Sequence, residues 1–143
     1  MIGFQQNDGG RAAAGFKGQA GDCVTRAIAI ATGTPYIEVY NALNAAAQGE
    51  RTGRRKVKRS SARNGVHRRT YEMYLQAAGW TFKACMGIGT GCKIHLRADE
   101  LPGGTIIARL SRHLVTIIDG VIHDTHDCSR GGTRCVYGYY AKR

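Results

Sequence analysis

The stretch GDCVTRAIAI, residues 21–30, combines a helix start with a cysteine. Asp22 suits the N-cap position, where its carboxylate can accept hydrogen bonds from the free N–H groups of the first turn. Apolar side chains then recur at helical spacing on one face, namely Val24, Ala27, Ile28 and Ala31. The stretch therefore predicts a buried helix over about residues 22–32, ended by Gly33.

Cys23 falls at the first position of this predicted helix. Unpaired N–H groups and the helix dipole favour a thiolate over a thiol at such a position, which is how proteins prepare a sulfur nucleophile. The alternative is that Cys23 is a small buried apolar residue, as most free cysteines are.

Composition and cysteine content place the chain in a broad class. With 143 residues and 43% hydrophobic content, we expect one globular domain over residues 1–143. No apolar run approaches the roughly 20 residues that span a membrane, and residues 1–17 lack the pattern of a signal peptide. The five cysteines are therefore expected to be free thiols in a reducing compartment, which predicts a cytoplasmic protein.

The chain is strongly basic, with a net charge of +11, and much of this charge lies in residues 51–69. That segment is interpreted as a surface loop that is either simply solvated or contacts anions. Its candidate anion-binding residues are Arg54, Arg55, Lys56, Lys58 and Arg59. The charge suggests an acidic or nucleic-acid-associated partner, although no aromatic residue interleaves the segment to stack on bases.

Helical patterns occupy the first half of the chain and strand patterns the second. Further helices are predicted over residues 34–48 and 70–78, and strands from residue 80 and over 105–110, 113–118, 121–125 and 133–140. Asp119-Gly120 is typical of a two-residue type I′ hairpin turn. Helices first and an antiparallel sheet second predict an α+β fold.

The hairpin provides a geometric test for a site. A two-residue turn pairs Ile118 with Val121, and the same register puts His113 and Asp124 on one face as diagonal neighbours about 7 Å apart. A carboxylate there can orient an imidazole. With Cys23 added, the chain holds a nucleophile, a base and an orienting acid.

These motifs resemble the papain-like cysteine peptidase superfamily, with a local likeness to the bacteriocin-processing peptidases. The likeness covers about residues 19–32 and 111–127: an acid directly before the cysteine, a histidine that opens an apolar strand, and an aspartate that ends the next. The resemblance implies a papain-like fold and a peptidase or isopeptidase acting on a peptide or protein substrate through an acyl-enzyme, without a cofactor. It implies Cys23, His113 and Asp124 as the catalytic residues.

Further residues near the triad are candidates for supporting roles. The family places a Gln about six residues before the cysteine to line the oxyanion hole, whereas this chain has Lys17 there and Gln19 closer. Gln19 is the candidate, with Asn7 as an alternative, and the backbone N–H of the cysteine is the second donor. Asp22 and His126 are candidate supporting residues, the latter directly opposite His113 in the predicted pairing.

Other functions are compatible with parts of the sequence. The run HDTHDC, residues 123–128, contains zinc-ligand types, but strand alternation points its two histidines to opposite faces, so no metal site is predicted. Cys85, Cys92, Cys128 and Cys135 are interpreted as structural thiols. A basic nucleic-acid-binding protein and a catalytically silent papain-like binding module remain the alternatives to a hydrolase.

Overall fold

The computed structural model describes residues 2–18, 20–51, 58–87 and 89–143. Three helices and a six-stranded mixed sheet form an α+β fold. The helices are α1 Cys23–Thr32, α2 Tyr36–Ala47 and α3 Arg68–Ala77. The strands are β1 Gly3–Gln6, β2 Trp80–Ala84, β3 Thr105–Leu110, β4 His113–Ile118, β5 Val121–Asp124 and β6 Gly138–Lys142, with one 3-10 turn at Ala98–Glu100.

The sheet has the strand order β1-β5-β4-β3-β6-β2. Its centre is antiparallel, and Asp119 and Gly120 form the predicted turn with φ angles of 48° and 76°. The predicted register is confirmed, because Ile118 pairs with Val121 and Thr116 with His123. The antiparallel prediction is wrong at one edge, where β1 runs parallel to β5.

The helices cover one face of the sheet. The apolar stripe of α1 packs there, with Ile28 fully buried among side chains of α2, α3 and the central strands. Thr116 on β4 donates its hydroxyl to the Ala27 carbonyl at 2.6 Å, which fixes α1 against the middle of the sheet. Gly33 ends α1 in the left-handed conformation, as predicted. The start of α1 is thereby held beside the first residue of β4.

The opposite face is covered by loops instead of helices. Leu96, Cys128 and Val136 come from these loops and are buried against β3, β4 and β5. Cys92 and Cys135 form a disulfide that joins two of the covering segments. The expectation of free thiols is therefore wrong for this pair, whose sequence separation of 43 residues gave no sign of their proximity.

Two strand predictions also need correction. The segment before the first helix, for which the sequence predicts no strand, contains β1, whose residues are all exposed and so carry no alternation of apolar and polar side chains. The last strand begins at Gly138 instead of residue 133, because the preceding residues take part in the covering loops. Within the described residues, no helix is long and apolar enough to cross a membrane.

Candidate active site

Cys23 is the first residue of α1 and lines an open cleft of about 980 Å³. The cleft lies between the start of α1 and α3 on one side and the β3–β4 turn on the other. Gly21, just before the helix, approaches the backbone carbonyl of Asn64 so closely that a Cβ would lie 3.1 Å from its oxygen. The Cys23 thiol itself is half-buried in the cleft wall.

His113 and Asp124 meet where β4 begins and β5 ends. The Nε2 atom of His113 lies 2.6 Å from Oδ2 of Asp124, as the predicted shared face requires. The other carboxylate oxygen accepts hydrogen bonds from the Thr125 backbone N–H at 2.7 Å and from Arg26 at 3.1 Å. Because Nε2 is held by the carboxylate, Nδ1 is the ring nitrogen left free for other chemistry.

The Cys23 thiol lies close enough to the His113 imidazole for each group to shift the pKa of the other. Burial opposes ionisation of Cys23, but the hydrogen bond and the charge of His113, together with the Leu114 backbone N–H, lower the pKa of the thiol. Burial likewise opposes the imidazolium, yet hydrogen bonds with Asp124, Cys128 and Cys23 raise the pKa of His113 to about 11. Both shifts favour a thiolate–imidazolium pair at neutral pH.

Asp124 is kept ionised by the same contacts. Burial disfavours its charge, but the hydrogen bond and charge of His113, with Thr125 and Arg26, lower the pKa of Asp124 to about 2. The side chain is almost completely buried. A buried carboxylate can remain charged there because every oxygen has a donor.

A buried charge network connects the helix start to Asp124. Arg26 donates to Asp22 one turn earlier and to Asp124 at 3.1 Å. Asp22 also accepts from the Tyr36 hydroxyl at 2.6 Å and lies 3.5 Å from the guanidinium of Arg11. Asp22 occupies the N-cap position but makes no side-chain cap hydrogen bond, so the predicted capping role is wrong. Its carboxylate is committed to Arg26 and Tyr36 instead.

Cys128 approaches His113 from the buried side. It is 2% exposed, and its interaction with the imidazole raises the pKa of His113. Ligand-type atoms of His113, Asp124 and Cys128 lie within 4.8 Å of one another, the one such cluster among the described residues. A metal ion bound to this set would have to replace the 2.6 Å contact between His113 and Asp124. The histidine at position 123 instead contacts the Asn7 amide at 3.2 Å.

The structure places the predicted supporting residues differently from one another. His126 lies in the cleft with its ring centre 5.6 Å from that of His113, but it is exposed and lies beyond the end of β5, so its predicted strand pairing opposite His113 is wrong. Asn7 contacts His123 and the Gly9 backbone, so it is not placed as an oxyanion donor. Gln19 lies outside the described residues.

The predicted anion-binding set is only partly described. Arg54, Arg55 and Lys56 lie outside the described residues, whereas Lys58 and Arg59 are exposed. Glu50, just before this segment, accepts hydrogen bonds from Ser60 within it and from Thr70 just after it. These hydrogen bonds outweigh the effect of burial and lower the pKa of Glu50.

Arg26 and Cys128 are site residues that sequence reasoning missed. The spacing of Asp22 and Arg26, one helical turn apart, is a signal that could have revealed their ion pair. The position of Cys128 could not have been found this way, because it depends on the path of the loop that follows β5.

Searches against protein-family models, curated proteins and solved structures found no match to this chain. The function of the site must therefore be inferred from its own geometry and chemistry.

Proposed function

We propose that this protein is a papain-like thiol hydrolase that cleaves peptide or isopeptide bonds through an acyl-enzyme. The observation that carries the proposal is the chain of contacts from Cys23 through His113 to Asp124 beside an open cleft. A nucleophile, a base and an orienting acid arranged in this order define this class of chemistry on unrelated folds.

The reaction follows from the contacts. The Cys23 sulfur attacks the substrate carbonyl carbon, and the first-turn N–H groups of α1 stabilise the oxyanion. His113 gives its proton to the leaving amine, so the carbon–nitrogen bond breaks and a thioester forms. His113 then takes a proton from water, which attacks the thioester and releases the acid and the thiolate. Asp124 keeps the ring oriented throughout.

The two alternatives make different demands on the same residues. A silent binding module needs the cleft but not the low pKa of the Cys23 thiol. A nucleic-acid-binding protein needs the net charge of +11 but not the ordered contacts around His113. The alignment of Cys23 and His113 in one cleft, with Asp124 buried behind the imidazole, favours the hydrolase.

The test is cleavage of a peptide library prepared from a digested proteome, with new termini identified by mass spectrometry. We expect the protein to generate new termini and, after acid quenching, to carry an acyl group on Cys23. Cys23→Ala removes both signals, whereas Cys85→Ala, a free thiol outside the cleft, retains both. An intact library together with an unmodified Cys23 would favour the binding module.

A further inference from the structure

The arginines that line the cleft differ in whether a carboxylate neutralises them. Arg11, Arg26 and Arg68 each form an ion pair with an acidic side chain, at 3.5 Å for Arg11 and 3.1 Å for Arg68. Arg109 and Arg112 also line the cleft, but in the described parts of the chain neither has a carboxylate partner. Two positive charges beside the nucleophile are thus uncompensated by the protein.

Arg109 is held in place although it lacks an ion pair. It is half-buried on β3, with its guanidinium 5.4 Å from the ring centre of Tyr137, which also lines the cleft. Tyr71 lines the cleft as well; burial raises the pKa of its hydroxyl, and the positive charge of Arg109 acts against this rise. A guanidinium positioned against an aromatic ring loses little entropy on binding an anion.

Arg112 is placed by the turn that leads into His113. It adopts a left-handed backbone conformation with φ of 54° in the two-residue connection between β3 and β4, and its side chain is exposed. The register pairs Leu110 with His113 and Arg109 with Leu114. Arg109 therefore lies opposite Leu114 in the sheet, and Arg112 directly precedes the proposed catalytic histidine in the turn.

We propose that Arg109 and Arg112 bind a carboxylate of the substrate and direct Cys23 to peptide bonds close to an acidic residue. This inference rests on the proposed hydrolase function. The substrate carboxylate would then be recognised at the cleft wall, independently of the basic segment 51–69. The acidic residues of the cleft do not compete, because Asp22 is buried in its own ion pairs and Asp8 is bound by the backbone N–H groups of Gly10 and Ala12 at 2.9 Å.

A test that does not require peptidase activity compares iodoacetate with iodoacetamide, two alkylating reagents of similar shape that differ in one negative charge. The readout is the ratio of their rate constants at Cys23. We expect Arg109→Gln combined with Arg112→Asn to lower the iodoacetate-to-iodoacetamide ratio about fivefold to thirtyfold, since each charge lost is worth up to about 1 kcal/mol, or about fivefold, at short range in water. Asparagine is used at position 112 because it tolerates the left-handed backbone.

The control is Arg69→Gln, which removes an exposed charge outside the cleft and should leave the ratio within about twofold of wild type. Arg112→Asn alone provides an exposed variant with little risk to folding, and it should give part of the effect. A ratio unchanged in the double variant would overturn the proposal while leaving the hydrolase function intact. Loss of Cys23 selectivity with both reagents would instead count against the hydrolase.

The peptide library then identifies the source of the carboxylate. Enrichment of Asp or Glu near the cleaved bond, lost in the double variant, supports a side-chain carboxylate. Cleavage confined to peptides with a free C-terminus, and absent from amidated copies, would show that the terminal carboxylate is bound. Cleavage without either preference contradicts the proposal.

Discussion

Cys23 and Cys128 are free thiols that both interact with His113, yet their surroundings differ. Cys23 begins a helix, lines a cleft and receives the Leu114 N–H. Cys128 is buried in a loop, packed in the apolar cluster that includes Leu96. On the proposed mechanism, contact with a base is therefore not enough to make a thiol a nucleophile. Access to substrate and unpaired N–H groups for an oxyanion distinguish the two thiols.

The largest expected effect separates the two thiols by activity. Cys23→Ala should lower kcat/KM about 10⁴-fold or more, because the nucleophile is lost. Cys128→Ala should change it less than about threefold and cost about 1 kcal/mol of stability from the small cavity. The measurement is hydrolysis of a peptide identified in the library. If Cys128→Ala were equally inactive, both sulfurs would take part in the reaction.

The next prediction concerns the stability contributed by the ion pairs of Arg26, in the helix that begins at Cys23. Arg26→Met leaves the buried carboxylates of Asp22 and Asp124 without their shared partner, so we expect the free energy of unfolding to fall by about 3–5 kcal/mol. Urea unfolding measures this. Arg11→Met is the matched control, since Arg11 is more exposed and lies 3.5 Å from Asp22. Equal losses of unfolding free energy in the two variants would show that the ion pairs of Arg26 do not specifically stabilise the site.

Asp124→Asn tests how His113 is tuned toward Cys23. Without the carboxylate charge, the pKa of His113 falls from about 11 and the imidazolium no longer supports the thiolate as strongly. We expect kcat to fall about 10²–10⁴-fold and the alkylation midpoint of Cys23 to move to higher pH. An unchanged pH profile would show that Asp124 is only structural.

The same pair gives a pH dependence of stability with a defined sign. The pKa of Asp124 is lowered to about 2, so its contribution is present above the unfolded value of about 3.9 and is lost as pH falls toward 2. The pKa of His113 is raised to about 11, so its contribution is complete below about 6.5 and is lost as pH rises toward 11. Urea unfolding of the wild type and Asp124→Asn across pH should show the two curves converging at both extremes.

The smallest effect is a difference in labelling rate. At about pH 6, well below the pKa of about 8.5 of a free thiol, iodoacetamide should modify Cys23 at least about tenfold faster than Cys128 or Cys85. Mass spectrometry of the digested protein gives the three rates in one experiment. Comparable rates would mean that the two sides of His113 do not differ in thiolate content.

Local chemistry made part of the fold predictable. The Asp119-Gly120 turn fixes the register of β4 and β5, and the register in turn places His113 beside Asp124. The bounds of β3 and β4 follow from runs of β-branched and apolar residues between turn signals. The helix that begins at Cys23 follows from spacing alone.

The remaining features depend on contacts that sequence spacing does not express. Strand β1 pairs with β5 through its backbone at the edge of the sheet, and its residues are all exposed. No pattern of apolar residues therefore predicts this pairing. The Asp22 carboxylate contacts Arg26 and Tyr36 instead of capping the helix, because the helix start is buried. A buried carboxylate is stable only when it is paired and hydrogen-bonded. The pairing of Cys92 with Cys135 depends on how two loops cover the sheet.

The order of the site residues along the chain has a consequence for the timing of synthesis. Cys23 leaves the ribosome before His113 and Asp124, which belong to a later hairpin, and β1 cannot pair before β5 exists. Until that hairpin has been synthesised, the nascent chain carries Cys23 without its proposed base. On the proposed mechanism, the chain can attack a peptide bond only after this hairpin has folded, so a partly made chain is inactive.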